Sequence, residues 1–145
     1  MMYTRSVHFY EIDQMEIVHH SRYILYFEEA RLDAMQQLGF GYERLMEMRL
    51  ASPVTGISCE YIQPARYPDV LDIQILLREY DGVRFSFAYE VRRQTDHALL
   101  CCGETKHCLI GKAGLPVRIR THYPEIHALM LRWLEESAQS AASVQ

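Results

Sequence analysis

Few side chains in this 145-residue sequence combine a reactive type with a suggestive position, and Asp13 is the first of them. It follows the aromatic run Val7-His8-Phe9-Tyr10-Glu11-Ile12 and precedes a long apolar periodicity that begins near His20. A carboxylate at such a junction can take a proton from water or attack an electrophilic carbon itself. The helix that follows offers unpaired N–H groups to a developing oxyanion. Asp13-x-x-Glu16 also has the form of a capping box, in which the same carboxylate would only start the helix. His20 is the second candidate, as a residue that orients water or substrate or as a surface cap. His19 and His20 are adjacent and point to different faces of a helix, so they make a poor metal pair, and no metal site is expected. His107, in a strand-like segment, reads as a packed or interface histidine.

A second chemistry lies in the charge distribution. The net charge of −4 argues against a nucleic-acid partner. Thr105 to Pro124, however, carries Lys106, Lys112, Arg118 and Arg120 with His107 and His122 and no acid, whereas the other residues carry eleven Lys or Arg against all nineteen acids. Such a segment is either a solvated strand edge or a site for the phosphates of a small anion, and Arg66 is a further candidate. The four cysteines include no C-x-x-C pair, and vicinal Cys101-Cys102 is poorly placed to bridge, which predicts reduced thiols. No apolar run is long enough to span a bilayer and no signal-peptide pattern opens the chain, so a cytoplasmic protein is expected.

The elements that would position these groups follow from periodicity. Val7 to Asp13 has the parity of a short strand with Asp13 at its end. Tyr23, Phe27, Ala30, Ala34 and Leu38 recur at three- and four-residue steps, with Ile24 and Leu25 widening the stripe, which predicts a helix from about His20 to Leu38 stopped by Gly39. A shorter helix is expected over Tyr42 to Met48. Strands are expected over Val54 to Gln63, Leu71 to Arg78, Val83 to Val91 and Ala98 to Ile110, with Asp81-Gly82 as a hairpin turn. A last amphipathic helix, Glu125 to Glu136, precedes a small-residue tail from Ser137 to Gln145 that is expected to be mobile. The class is α+β, one domain over residues 1–136, with the long helix packed into the concave face of an antiparallel sheet of about five strands.

Within this frame the segment Asp13-Gln14-Met15-Glu16-Ile17-Val18-His19-His20-Ser21-Arg22-Tyr23 resembles the hotdog-fold acyl-CoA thioesterases of the 4-hydroxybenzoyl-CoA thioesterase family, including the branch associated with the Tol-Pal system. Asp13, Ile17, Val18, His20 and Tyr23 fall at that family's spacing. Phe27-Glu28-Glu29-Ala30-Arg31, Pro64-Ala65-Arg66-Tyr67-Pro68-Asp69 and Gly103-Glu104-Thr105-Lys106-His107 extend the match. Two departures stand out. Met15 and Glu16 occupy places where many relatives carry a small residue and Gly, and Phe9 stands where the Tol-Pal branch often has Tyr.

The resemblance implies hydrolysis of an acyl-CoA with no cofactor beyond the coenzyme A of the substrate. Asp13 would be general base or nucleophile, and an amide near His20 the oxyanion donor. Tyr10, Met15, Glu16, Val18 and Tyr23 would line the acyl pocket, and Arg66, Lys106, Lys112, Arg118 and Arg120 would meet the coenzyme A phosphates. It also implies a homo-oligomer, a dimer or a tetramer of paired dimers, with the site at the interface. A thiolate leaving group needs little protonation, so one carboxylate and a helix N-terminus can suffice. Two other readings remain: an enoyl-CoA hydratase, whose pattern would place His where Val18 stands, and a non-catalytic acyl-CoA or acyl-carrier binding module.

Overall fold

The computed structural model describes residues 1–143, in which one antiparallel sheet wraps a long helix. The strands are β1 (Met2–Ser6), β2 (Val54–Tyr61), β3 (Val70–Tyr80), β4 (Arg84–Arg93) and β5 (Leu99–Cys108), in the spatial order β1-β3-β4-β5-β2. The helices are α1 (Arg22–Leu38), α2 (Tyr42–Glu47), α3 (Ile119–His122) and α4 (Pro124–Ser143). This is the hotdog architecture that the sequence led us to expect.

Helix α1 buries Tyr23, Tyr26, Phe27, Ala30, Arg31, Ala34 and Met35, the stripe that its three- and four-residue steps place on one side. Gly39 ends it at φ +90°, and the Phe40 amide donates back to the Met35 carbonyl at 3.1 Å, so orphan carbonyls of the last turn are satisfied. Beneath α1, Leu71, Ile73, Ile75 and Leu77 of β3 alternate inward, and register places Ile73, Ile75 and Leu77 opposite Val91, Tyr89 and Phe87 of β4. At Gly103 of β5 the Phe27 ring of α1 occupies the space a side chain would take. A Cβ there would lie 2.3 Å from the Phe27 ring, which itself stacks on Tyr89 with centroids 4.4 Å apart. Glycine at this strand position is what lets the helix settle into the sheet.

Three local expectations are corrected. The N-terminal strand is Met2–Ser6 rather than Val7 to Asp13, because Phe9–Glu11 turns as a single 3-10 helical turn. The Glu11 carboxylate causes that turn: it accepts the His8 amide at 2.7 Å and the Arg5 guanidinium at 2.7 and 2.9 Å. Asp13 therefore lies in a loop well before α1, and no capping box with Glu16 starts that helix. Nor does the last helix stop at Glu136. It continues to Ser143, because Ser137 is buried and its Oγ accepts the Leu77 amide at 3.0 Å, past the point where β1 stops covering β3. Only positions 144–145 of the expected tail lie outside the described residues.

Candidate active site

The loop from Ile12 to Ser21 is folded back on itself and pinned on two sides. The Asp13 amide donates to the Ile17 carbonyl at 2.8 Å, the Val18 amide to Ala65 at 2.8 Å, and the His19 amide to Glu11 at 2.9 Å. Isolated bridges join Ile12 to Val18 and Ile17 to Arg66. Its foundation is the ion pair of Arg5 with Glu11, whose side chains are 8% and 5% exposed. Arg5 also reaches Glu29 at 3.1 Å and lies 4.2 Å over the Tyr26 ring. Burial by itself would raise the Glu11 pKa. The Arg5 guanidinium and the His8 amide outweigh it and hold the carboxyl below its usual range. Glu16 sits at φ +63°, a conformation that glycine adopts freely, and it is the position where the resembled pattern carries Gly.

On this frame the Asp13 carboxylate is half-buried and accepts the Met15 amide at 2.8 Å. It opens onto a cavity of about 330 Å³. The loop supplies Asp13, Met15, Ile17, Val18 and His20 to its wall, α1 supplies Tyr23, and the end of β2 with the following segment supplies Tyr61, Ile62, Gln63 and Pro64. Tyr61 donates its phenol proton to the His20 carbonyl at 2.7 Å, and its ring lies 5.4 Å from that of Tyr23. Burial pushes the Tyr23 phenol up to about 12, so it stays protonated. The amides flanking His20 are accounted for: His19 donates to Glu11, Ser21 to the His19 ring at 3.2 Å, and Arg22 to the His19 carbonyl at 2.9 Å. Among the described residues the His20 N–H has no acceptor. The site thus joins a carboxylate, an unengaged amide at the start of a helix and an apolar wall.

Of the residues picked out in the sequence, Asp13, Met15, Val18, His20 and Tyr23 line this cavity together. Tyr10 and Glu16 do not. Tyr10 is exposed and stacks on His8, with the Arg22 guanidinium 5.5 Å from its ring, and Glu16 faces solvent. Arg66 adjoins the loop through its bridge to Ile17 but does not line the cavity. Lys106, Lys112, Arg118 and Arg120 stand elsewhere. Arg120 lies against Gly82 at the β3–β4 turn, and Lys106 borders a separate cleft of about 410 Å³ with Arg84 and Thr55. The eleven residues of β3 put the β3–β4 turn roughly 35 Å from the Asp13 loop within one chain. Sequence reading named Ile17 and Pro64 in matching motifs without giving them a place in the pocket, and it missed Tyr61, Ile62 and Gln63. Tyr61 and Ile62 fell only within the expected strand Val54 to Gln63, because nothing local ties residue 61 to residue 20.

Among the described residues, no three His, Cys, Asp or Glu side chains gather as a metal would require, and no helix is long and apolar enough to cross a membrane.

The chain matches the family model of the thioesterase-like superfamily over residues 7–134. A relative from Aquifex aeolicus is 38% identical over 125 residues, covering 86% of this chain and 95% of its own. The 1,4-dihydroxy-2-naphthoyl-CoA hydrolase of Thermosynechococcus vestitus is 25% identical over 141 residues, 97% of this chain and 92% of that one. Among solved structures, a hypothetical protein from Aquifex aeolicus superposes with a TM-score of 0.83 at 35% identity over 90% of this chain and 98% of its own. The DHNA-CoA thioesterase of Staphylococcus aureus superposes with a TM-score of 0.85 at 26% identity, over 90% and 88%. With the family model matched over most of its length and the fold shared with these relatives, this chain belongs to the thioesterase-like superfamily of hotdog-fold thioester hydrolases.

Proposed function

We propose that the protein hydrolyses an acyl-CoA to the free acid and coenzyme A, with Asp13 as the general base for water or as the nucleophile. The observation that carries this reading is that Asp13 and His20, whose N–H is unengaged, line one largely apolar cavity. A thioester carbonyl polarised by that amide develops negative charge where a helix start favours it, and the departing thiolate needs no acid. Tyr23, Tyr61, Val18, Met15 and Ile62 form a wall suited to an aryl or short aliphatic acyl group, and relatives are named for 1,4-dihydroxy-2-naphthoyl-CoA.

The functional unit is a homo-oligomer formed along β2. This strand has an open edge and exposes Val54, Ile57 and Tyr61, the kind of edge that folded proteins pair or cover. Two copies joined antiparallel along β2 set one copy's Val54 end beside the other's Tyr61 end. Val54 pairs with His107, which adjoins Lys106, so the basic segment of one copy approaches the cavity of the other, where coenzyme A phosphates need cations.

Thiol release from a panel of aryl, short-chain and long-chain acyl-CoAs tests the activity. Asp13→Asn is expected to lower kcat by about two to three orders of magnitude. Full activity in that variant refutes the role of Asp13. Saturable acyl-CoA binding without turnover refutes hydrolysis in favour of a binding module, and enoyl-CoA hydration without thiol release does so in favour of a hydratase.

A further inference from the structure

Behind the cavity wall lies a pair of thiols that the hydrolytic chemistry does not use. Cys59 of β2 and Cys101 of β5 are two residues out of register, since Cys59 faces Gly103 and Tyr61 faces Cys101. Their side chains turn toward each other on the α1 side of the sheet, with sulfurs 3.3 Å apart. Cys101 is fully buried and Cys59 is half-buried, so one thiol is reachable and the other waits behind it. The hydrogen bond between the two sulfurs holds the Cys59 pKa below its ordinary value, while the same contact and burial push Cys101 up. Two residues beyond Cys59, Tyr61 holds the His20 carbonyl and packs on Tyr23.

We propose that Cys59 and Cys101 are an oxidant-responsive modification site, which a peroxide converts to a disulfide that disturbs the cavity wall. The Cys59 thiolate attacks the peroxide O–O bond, giving a Cys59 sulfenic acid and releasing water from hydrogen peroxide. The Cys101 thiol then displaces the sulfenic oxygen as a second water. Two thiols lose two electrons and two protons in all, and the peroxide is reduced. The sulfurs must close by roughly 1.3 Å to bond. Because Cys59 is half-buried whereas Cys101 is packed in the core, most of that movement falls on β2, and Tyr61 moves with it. Pairing of two copies along β2 uses main-chain groups and leaves the direction of the Cys59 side chain unchanged. The chemistry at sulfur stands apart from the activity reading. Only the effect on the cavity rests on it.

The test treats the reduced full-length protein with hydrogen peroxide and removes the excess. The expected result is a mass lighter by two hydrogens, one proteolytic cross-link joining Cys59 to Cys101, and acyl-CoA thiol release lowered roughly tenfold or more, as for displaced positioning groups. Dithiothreitol restores both mass and rate. Cys59→Ser abolishes the cross-link and makes the rate insensitive to peroxide, and Cys102→Ser changes neither result. Cys101→Ser leaves a Cys59 sulfenic acid that dimedone traps, while Cys59→Ser decides the question if a hydroxyl buried at the Cys101 position prevents folding. Cys59 remaining alkylatable after peroxide, or a cross-link through Cys102 or Cys108 instead, overturns the site. A Cys59–Cys101 disulfide with undiminished thiol release overturns its effect on the cavity. Absence of thiol release before any oxidant overturns the hydrolytic reading and leaves the cross-link to decide the thiol chemistry.

Discussion

Gly103→Ala isolates the contact that seats α1 in the sheet. The new Cβ would meet Phe27 Cε2 at 2.3 Å, Cζ at 2.4 Å and the Ser58 carbonyl oxygen at 3.0 Å. Carbon atoms settle at about 3.5–4.0 Å, so ring and methyl must separate by more than 1 Å. The Phe27 ring is fully buried and stacked on Tyr89 at an interplanar angle of 16°, which leaves it no open space to enter. Gly103 does not adopt a positive φ, so the backbone accepts alanine without strain, and loss of glycine's unfolded-state freedom alone would stabilise by about 0.4–1 kcal/mol. Overpacking costs about 1–3 kcal/mol and the lost ring stacking about 1 more. The net expectation is a loss of about 2–3 kcal/mol, or roughly 10 °C in Tm for a chain of this length. Thermal and urea unfolding of wild type, Gly103→Ala, Phe27→Leu and the double variant measure it. The smaller leucine side chain relieves the clash, so Gly103→Ala is expected to cost at least about 1 kcal/mol less in the Phe27→Leu background. A single variant melting within a degree or two of wild type, or four variants that add, would refute the account of how this helix is seated.

Other perturbations probe the charged and strained positions. Burial lowers the His107 pKa to about 4, with Thr105 at 2.7 Å and Arg31 the facing cation. The unfolded chain binds its proton near pH 6.5, so this group's stabilisation is full above that pH and is lost as pH falls toward 4, on the order of 2.5 kcal/mol by pH 4.5. Urea midpoints of wild type and His107→Gln should therefore converge on acidification, and parallel pH profiles count against it. Glu11→Gln, which leaves Arg5 short of its buried partner, is expected to cost about 3 kcal/mol and to lower thiol release more than the stability loss alone explains, since the Asp13 loop rests on that pair. Wild-type kcat in folded Glu11→Gln would show that the loop is held by other means. Glu16→Gly relieves a positive φ and should leave stability unchanged or raise it by up to about 1 kcal/mol, while Glu16→Val lowers it; chemical denaturation of both decides.

What the chain determines by itself is mainly local. The apolar steps of α1, the stop at Gly39, the alternation of β3 and β4 and the Asp81-Gly82 turn all follow from neighbours a few residues apart, and all stand in the fold. Asp13, Ile17, Val18, His20 and Tyr23, picked out by their spacing, meet on one cavity for the same reason, since one short segment builds most of its wall. Tertiary structure decided the rest. The parity of Val7 to Asp13 suggested a strand; the buried ion pair of Glu11 with Arg5, which also reaches Glu29 and lies over Tyr26, turned that segment into the anchor of the site. Tyr61 joined the site across 41 residues through one phenol hydrogen bond, which no local pattern encodes. The basic segment could be counted in the sequence, but its position could not. It stands at the far end of β3 from Asp13, because an antiparallel sheet separates the two ends of each strand by that strand's full length.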